Sequence, residues 1–120
     1  METIIIIDNE KELVQIISEY LKLHHVDVVG TGHNGIEAVC LYEKYRPDYV
    51  LIDLNMPNYD GWYGVSKIKE MDKNAKIIIM TGFMDKIKNE KFASELTVLE
   101  KPFRLNKLKQ IIMSTKFNRF

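Results

Sequence analysis

The sequence predicts an α/β protein built on a doubly wound parallel sheet. Short apolar runs rich in β-branched residues occur at five places along the chain, and helical stretches lie between them. These runs are apolar on both faces, which is typical of parallel strands that are covered by helices on both sides. No linker, repeat or low-complexity segment interrupts the alternation, so we expect a single domain over residues 1–120.

The individual elements follow from two periodicities. The apolar runs predict strands at Thr3–Ile7, Val26–Val29, Tyr49–Ile52, Ile77–Met80 and, more weakly, Val98–Leu99. Apolar residues recur at helical spacing in five stretches, at 10–24, 35–45, 61–71, 84–93 and about 103–117. The stretch 84–93 has a thin apolar stripe. Cys40 lies among the apolar positions of the second helix, which predicts a buried cysteine.

The composition excludes several classes of protein. Seventeen basic and seventeen acidic residues cancel, which argues against a protein dedicated to nucleic acid or to membrane surfaces. A single cysteine excludes an internal disulfide and a multi-cysteine metal site. The chain shows no signal peptide and no apolar run of membrane-spanning length, so we expect a soluble cytoplasmic protein.

Polar side chains follow four of the predicted strands. Asp8 and Asn9 follow the first strand, Asp53 ends the third, Thr81 the fourth, and Lys101 follows the fifth. In doubly wound sheets, functional groups gather at the carboxyl ends of the strands, near the point where the strand order reverses. A carboxylate at the edge of an apolar core costs several kcal/mol, on the order given for buried ions, unless a partner neutralises it. We therefore expect carboxylates, a hydroxyl and an ammonium to converge there.

Four motifs carry a resemblance to a known family. The segments "IIIIDNE", "VLIDLNMPNYDG", "IIIMTG" and "EKPF" resemble, in order and in spacing, the receiver domains of two-component response regulators, over essentially the whole chain. The resemblance implies the flavodoxin-like strand order 2-1-3-4-5. It also implies that Asp53 accepts a phosphoryl group from a histidine kinase or a histidine phosphotransfer protein.

The resemblance further implies a Mg²⁺ site made by Asp8, Asn9, Asp53 and the backbone carbonyl of Asn55. Carboxylates are suitable both as Mg²⁺ ligands and as nucleophiles toward phosphorus. Asn9 stands where the family usually has a second acid, so we expect weak binding of the metal. Thr81 and Lys101 are implied to contact the phosphoryl group and to act as the switch.

The output of such a domain is a binding event. We expect a phosphorylation-dependent surface that includes Val98, where the family commonly has an aromatic residue, and Pro102. The expected partners are the phosphodonor and a downstream target protein, without direct contact to nucleic acid or membrane. The expected chemistry is limited to self-phosphorylation and autodephosphorylation, so the protein is not an enzyme in the usual sense. The alternative is a pseudo-receiver, an interaction module that never takes up phosphate, which Asn9 and Val98 favour.

Several of these residues also have structural explanations. Asp8 or Asn9 is expected to cap the first helix as well, and Gly61 is typical of a turn that needs positive φ. The segment "GTGHNG" at 30–35 matches a dinucleotide-binding pattern, but a lone match is weak, and nucleotide binding is only a distant alternative. His33 shows no ligand spacing and is expected to be solvated or to lie at a helix end. The family implies a cis bond between Lys101 and Pro102.

Overall fold

The computed structural model describes residues 1–57, 60–82 and 96–117. Within these ranges the strands are β1 (Thr3–Ile7), β2 (Asp27–Gly32), β3 (Tyr49–Asp53), β4 (Ile77–Thr81) and β5 (Thr97–Glu100). The helices are α1 (Lys11–Leu23), α2 (Gly35–Tyr45), α3 (Asp60–Met71) and α4 (Leu105–Phe117). The helix predicted at 84–93 lies outside the described residues. No helix of the described ranges has both the length and the apolar character needed to cross a membrane.

The five strands form one parallel sheet in the order β2-β1-β3-β4-β5. Both the predicted doubly wound sheet and the strand order implied by the resemblance are confirmed. The chain runs outward from β1 to β2 and then crosses back to β3, so the strand order reverses between β1 and β3. The carboxyl ends of these two strands therefore flank the crevice in which such sheets place their functional groups.

The core has two halves, one on each face of the sheet. Ile4 and Ile6 of β1 face one side and pack in a cluster with residues of α1 and α4. Ile5 and Ile7 face the other side and pack in a cluster with residues of α2 and α3. This division follows from the alternation of side chains along a strand, and it explains why β1 is apolar at successive positions.

The prediction that Cys40 is buried is wrong, because its side chain is exposed. The buried face of α2 is formed by Gly35, Ala38 and Tyr42, at the spacing of a single helical face. Cys40 is two residues beyond Ala38, a rotation of about 200° around the helix axis, and it points away from that face. The helix carries apolar residues on more than one side, so periodicity alone did not identify the side that packs on the sheet.

Candidate functional site

The structure places the predicted polar residues at one edge of the sheet, directly after their strands. Asp8 follows β1, Asp53 and Thr81 end β3 and β4, and Lys101 follows β5. Asp8 is 0% exposed, and Asp53 and Thr81 are each 2% exposed. These four elements are neighbours in the sheet, which is why residues far apart in sequence meet here.

Lys101 supplies the cation that pairs with both buried carboxylates. Its Nζ lies 3.1 Å from Asp8 Oδ2 and 3.3 Å from Asp53 Oδ2. The second oxygen of each carboxylate accepts a backbone N–H two residues further on, from Glu10 to Asp8 Oδ1 at 2.9 Å and from Asn55 to Asp53 Oδ1 at 2.8 Å. Every carboxylate oxygen thus has a donor, as a buried charged group requires.

The first helix is not capped as expected. The residue at its N-cap is Glu10, whose side chain makes no capping hydrogen bond, so the prediction that Asp8 or Asn9 caps α1 is wrong. The carboxylate of Asp8 is occupied by Lys101 and by the N–H of Glu10 instead. Asn9 itself is exposed.

The electrostatics of the cluster favour a further cation. Burial raises the pKa of Asp53, the N–H of Asn55 opposes this, the charge of Asp8 raises the pKa further, and Lys101 lowers it. For Lys101, burial lowers the pKa, but the charges of Asp53 and Asp8 outweigh burial, so the pKa is raised overall. Two carboxylates share a single ammonium, so the cluster has an excess of negative charge.

This donor set fits Mg²⁺. Asp8 and Asp53 both point an oxygen at one cationic atom, which shows that they converge on a common position. Mg²⁺ is usually bound by one or two carboxylates and keeps several waters. Asn9 and Asn55 are exposed beside the two acids. Across the part of the chain that the structure describes, no group of three or more His, Cys, Asp or Glu side chains is placed to hold a metal ion.

Thr81 and Lys101 are also joined through the backbone. Thr81 is in register with Glu100, and the N–H of Lys101 donates to the carbonyl oxygen of Thr81 at 2.7 Å. The peptide bond between Lys101 and Pro102 is cis, which confirms that expectation. A displacement of either strand end would therefore be transmitted to the other.

The two residues predicted for the signalling surface lie on either side of this junction. Val98 is half-buried in β5, the edge strand, and packs against the cluster that contains residues of α2 and α3. Pro102 is exposed. Lys101 and Pro102 also line an apolar pocket of about 320 Å³, together with Leu13, Phe103 and Leu105.

Gly61 is required by a close approach and not by a turn. No described glycine has positive φ, so the predicted conformation of Gly61 is wrong. A Cβ at this position would lie 2.5 Å from the carbonyl oxygen of Asp53 and 2.8 Å from the Cα of Leu54. Gly61 therefore allows α3 to begin directly against the end of β3.

The glycines of "GTGHNG" have a packing explanation. Gly30 and Gly32 lie in β2, and a Cβ on Gly30 would lie 2.9 Å from Cδ2 of Leu41 in α2. Asn34 caps α2, because its Oδ1 accepts the N–H of Glu37 at 2.8 Å. This loop is explained by helix packing and capping without a bound nucleotide.

His33 is the residue of this edge that the sequence did not indicate. It was expected to be solvated or to lie at a helix end, and it directly precedes Asn34, the N-cap of α2. It is nevertheless half-buried, and its Nδ1 lies 3.1 Å from the carbonyl oxygen of Asp8. The two residues are 25 positions apart, and only the pairing of β1 with β2 brings them together. No spacing in the sequence could have shown this contact.

Comparison with known proteins gives a consistent result. The model of the response regulator receiver domain matches residues 4–113. The chain is 29% identical over 113 residues to sporulation initiation phosphotransferase F of Bacillus subtilis, covering 92% of this chain and 90% of that one. It is 33% identical over 103 residues to the chemotaxis protein CheY of Halobacterium salinarum, covering 84% and 85% respectively.

Solved structures match over the whole fold. The response regulator TrrA of Thermotoga maritima, solved in complex with Mg(2+)-BeF, is 25% identical with a TM-score of 0.80, and the match covers 95% of this chain and 98% of that one. The chain also superposes on the longer PhyR proteins of Brucella abortus and Bartonella quintana, of which it spans only 46% and 49%. Those two are 24% and 22% identical, so the likeness to them concerns the fold alone.

Proposed function

This chain belongs to the response regulator receiver family of two-component systems, and on that basis we propose that it accepts a phosphoryl group on Asp53. The donor would be a histidine kinase or a histidine phosphotransfer protein. The observation that carries the proposal is the position of Asp53, a buried carboxylate at the end of β3 that shares the ammonium of Lys101 with Asp8. A purely structural core has little use for two buried acids that meet at one point.

The proposed reaction requires little covalent assistance. A carboxylate oxygen of Asp53 attacks phosphorus, and the bond from phosphorus to the donor's nitrogen breaks, with its electron pair leaving on the donor imidazole. The products are an acyl phosphate and a free histidine. Positioning and positive charge provide most of the acceleration in such transfers. The ammonium of Lys101, 3.3 Å from Asp53, would pair with a phosphoryl oxygen. The hydroxyl of Thr81 can donate a hydrogen bond to another.

The site would also use a metal ion. Asp8, Asp53 and the backbone carbonyl of Asn55 would hold Mg²⁺, which when bound neutralises charge on the transferring phosphoryl group. The similarity to TrrA, solved with Mg(2+)-BeF, supports this assignment. Asn9 contributes no negative charge, so we propose that the metal is held weakly.

We assign the phosphorylation-dependent output to the edge of the sheet around β5. A phosphoryl group on Asp53 would add negative charge between Thr81 and Lys101, whose backbones are hydrogen-bonded to each other. Both strand ends would then be drawn toward the phosphate. The surface around half-buried Val98 and exposed Pro102 would change with them and would be recognised by a downstream target protein. The predicted helix at 84–93 belongs to the same proposal but lies outside the described residues.

The apolar pocket beside the site is suited to the phosphodonor. It is lined by Lys101, the residue that contacts Asp53, so a protein that docks there would lie close to the acceptor. The proposal places the chain in the cytoplasm as a single receiver domain. Its only chemistry would be phosphorylation from a donor and autodephosphorylation.

Mass spectrometry after incubation with acetyl phosphate and Mg²⁺ tests the proposal. We expect a gain of one phosphoryl group in the wild type and none in Asp53→Asn. The matched control is Asp27→Asn, which removes an exposed carboxylate from β2 and should leave phosphorylation unchanged. Phosphate retained by Asp53→Asn would refute the assignment of the residue. A wild type that takes up no phosphate would favour the pseudo-receiver.

A further inference from the structure

The loop between β2 and α2 holds the backbone of Asp8 at two successive points. The pairing of β1 with β2 ends at Ile7 and Gly32. Beyond it, the N–H of Asp8 donates to the carbonyl oxygen of Gly32 at 3.1 Å. The carbonyl oxygen of Asp8 then lies 3.1 Å from Nδ1 of His33. Where the strand pairing stops, the imidazole of His33 therefore contacts the carbonyl oxygen of Asp8 in place of a backbone N–H.

The contact with Asp8 requires one form of the ring. A carbonyl oxygen only accepts, so the contact is a hydrogen bond when Nδ1 of His33 carries the hydrogen. The backbone N–H of His33 is directed elsewhere, to Oε1 of Glu37 at 3.2 Å. The ring is therefore the part of His33 that contacts Asp8.

The position of His33 is itself fixed by the start of α2. Oδ1 of Asn34 accepts the N–H of Glu37 at 2.8 Å, while the carboxylate of Glu37 accepts the N–H of His33. This reciprocal arrangement resembles a capping box, shifted by one residue. The helix terminus thus holds the residue whose ring reaches Asp8, and that residue is half-buried.

The carbonyl group of Asp8 belongs to the peptide plane that leads to Asn9 and Glu10. The N–H of Glu10 is the donor to Asp8 Oδ1, and the other oxygen of Asp8 contacts Lys101. We propose that His33 is a positioning residue for the proposed Mg²⁺ site. By holding this peptide plane, the ring of His33 orients the carboxylate of Asp8 toward the cation position that Asp8 shares with Asp53. The inference rests on the proposed function, in which these two acids hold the metal.

Two substitutions separate the hydrogen bond from the bulk of the side chain. In His33→Asn the amide nitrogen is attached to Cγ, as Nδ1 is, so the donor is retained. His33→Leu has a similar branched shape and no donor. Loss of one net hydrogen bond corresponds to roughly three- to tenfold in an equilibrium constant. Only the part of this free energy that differs between the metal-free and the metal-bound state changes the affinity for Mg²⁺. We therefore expect Mg²⁺ to bind more than about twofold and at most roughly tenfold more weakly to His33→Leu, with His33→Asn within about twofold of the wild type.

The measurement is a Mg²⁺ titration of ¹⁵N-labelled protein by NMR, which also reports whether each variant is folded. In the wild type, the imidazole ¹⁵N shifts should show a hydrogen on Nδ1. A neutral ring with its hydrogen on Nε2 alone would overturn the proposal, and this readout remains decisive even if His33→Leu does not fold.

Different results would contradict the role of His33 and the proposed phosphorylation of Asp53. Wild-type affinity for Mg²⁺ in His33→Leu, in a protein that is phosphorylated normally, would overturn the role of His33 and leave the proposed function intact. A wild type that neither binds Mg²⁺ nor takes up phosphate would overturn both. Equal weakening in His33→Asn and His33→Leu would show that the ring acts by shape, which also contradicts the proposal.

Discussion

The sharpest test of the charge cluster is the removal of its only described cation. Lys101→Met deletes the ammonium and keeps a flexible unbranched stem. Asp8 and Asp53, at 0% and 2% exposure, would then meet without a cation between them. Only the N–H groups of Glu10 and Asn55 would remain as donors to the two carboxylates among the contacts described above.

The size of the effect can be estimated from the distances. At an effective dielectric constant of about 20, separations of 3.1 and 3.3 Å each correspond to about 5 kcal/mol of attraction to Lys101. Desolvation of the ammonium offsets a large part, as the effect of burial on the pKa of Lys101 indicates. Removing one partner of a buried pair typically costs about 3–5 kcal/mol, and we expect a loss in that range near pH 7.

The pH dependence has a definite sign. The folded-state pKa of Lys101 is raised, so its contribution is complete below its unfolded pKa of about 10.4 and is lost only as the pH rises through the folded value. In Lys101→Met, the already raised pKa of Asp53 should rise further. The folded variant then binds its proton more tightly than the unfolded chain does. Its stability should recover as the pH falls from neutrality toward about 3.9, the ordinary carboxyl range.

Urea unfolding without metal measures this effect. The cost of Lys101→Met should be much smaller in an Asp53→Asn background, because one of the two unpaired charges is then absent. Lys67→Met is the matched control, since Lys67 is exposed and makes two weak contacts, an ion pair with Glu70 at 3.5 Å and a cation–π contact with the ring of Tyr63 at 5.9 Å. Its loss should cost less than about 1 kcal/mol. A loss below about 1 kcal/mol for Lys101→Met, or an equal loss in both backgrounds, would refute the reasoning.

Three further predictions concern other parts of the molecule. Gly61→Ala should cost about 1–3 kcal/mol in urea unfolding, because the new Cβ would lie 2.5 Å from the backbone oxygen of Asp53; an unchanged midpoint would contradict the close approach. Asn9→Asp should strengthen Mg²⁺ binding in an NMR titration and lower stability without metal, through repulsion among three acids; unchanged affinity would rule this out. Tyr42→Phe should cost about 1 kcal/mol near neutral pH, because the hydroxyl donates to Asp72 at 2.9 Å. Burial and this bond raise the pKa of Tyr42 to about 12, above the value of about 10 in the unfolded chain. The stability advantage of the wild type over Tyr42→Phe should therefore be lost between about pH 10 and 12. A stability difference that does not change with pH would contradict this prediction.

The sequence by itself determined the fold class and the approximate positions of the strands, although β2 ends at Gly32, three residues beyond the predicted end at Val29. Runs such as Thr3–Ile7 and Tyr49–Ile52 are local, and their apolar character on both faces indicates buried parallel strands regardless of the rest of the chain. Once the strands are parallel, their carboxyl ends must lie at the same edge of the sheet. Asp8, Asp53, Thr81 and Lys101 could therefore be assigned to one edge before any contact was known.

Only the tertiary structure decided how these groups meet. Lys101 lies 93 residues from Asp8, and the sharing of its ammonium depends on strand pairing that no local pattern encodes. The contact of His33 with Asp8 depends on where the pairing of β1 with β2 ends, and the need for Gly61 depends on where α3 begins against β3. Cys40 is exposed because helix packing selected another face of α2. Periodicity indicates that a helix has an apolar side, but contacts between distant segments determine which side is buried and which polar atoms become partners.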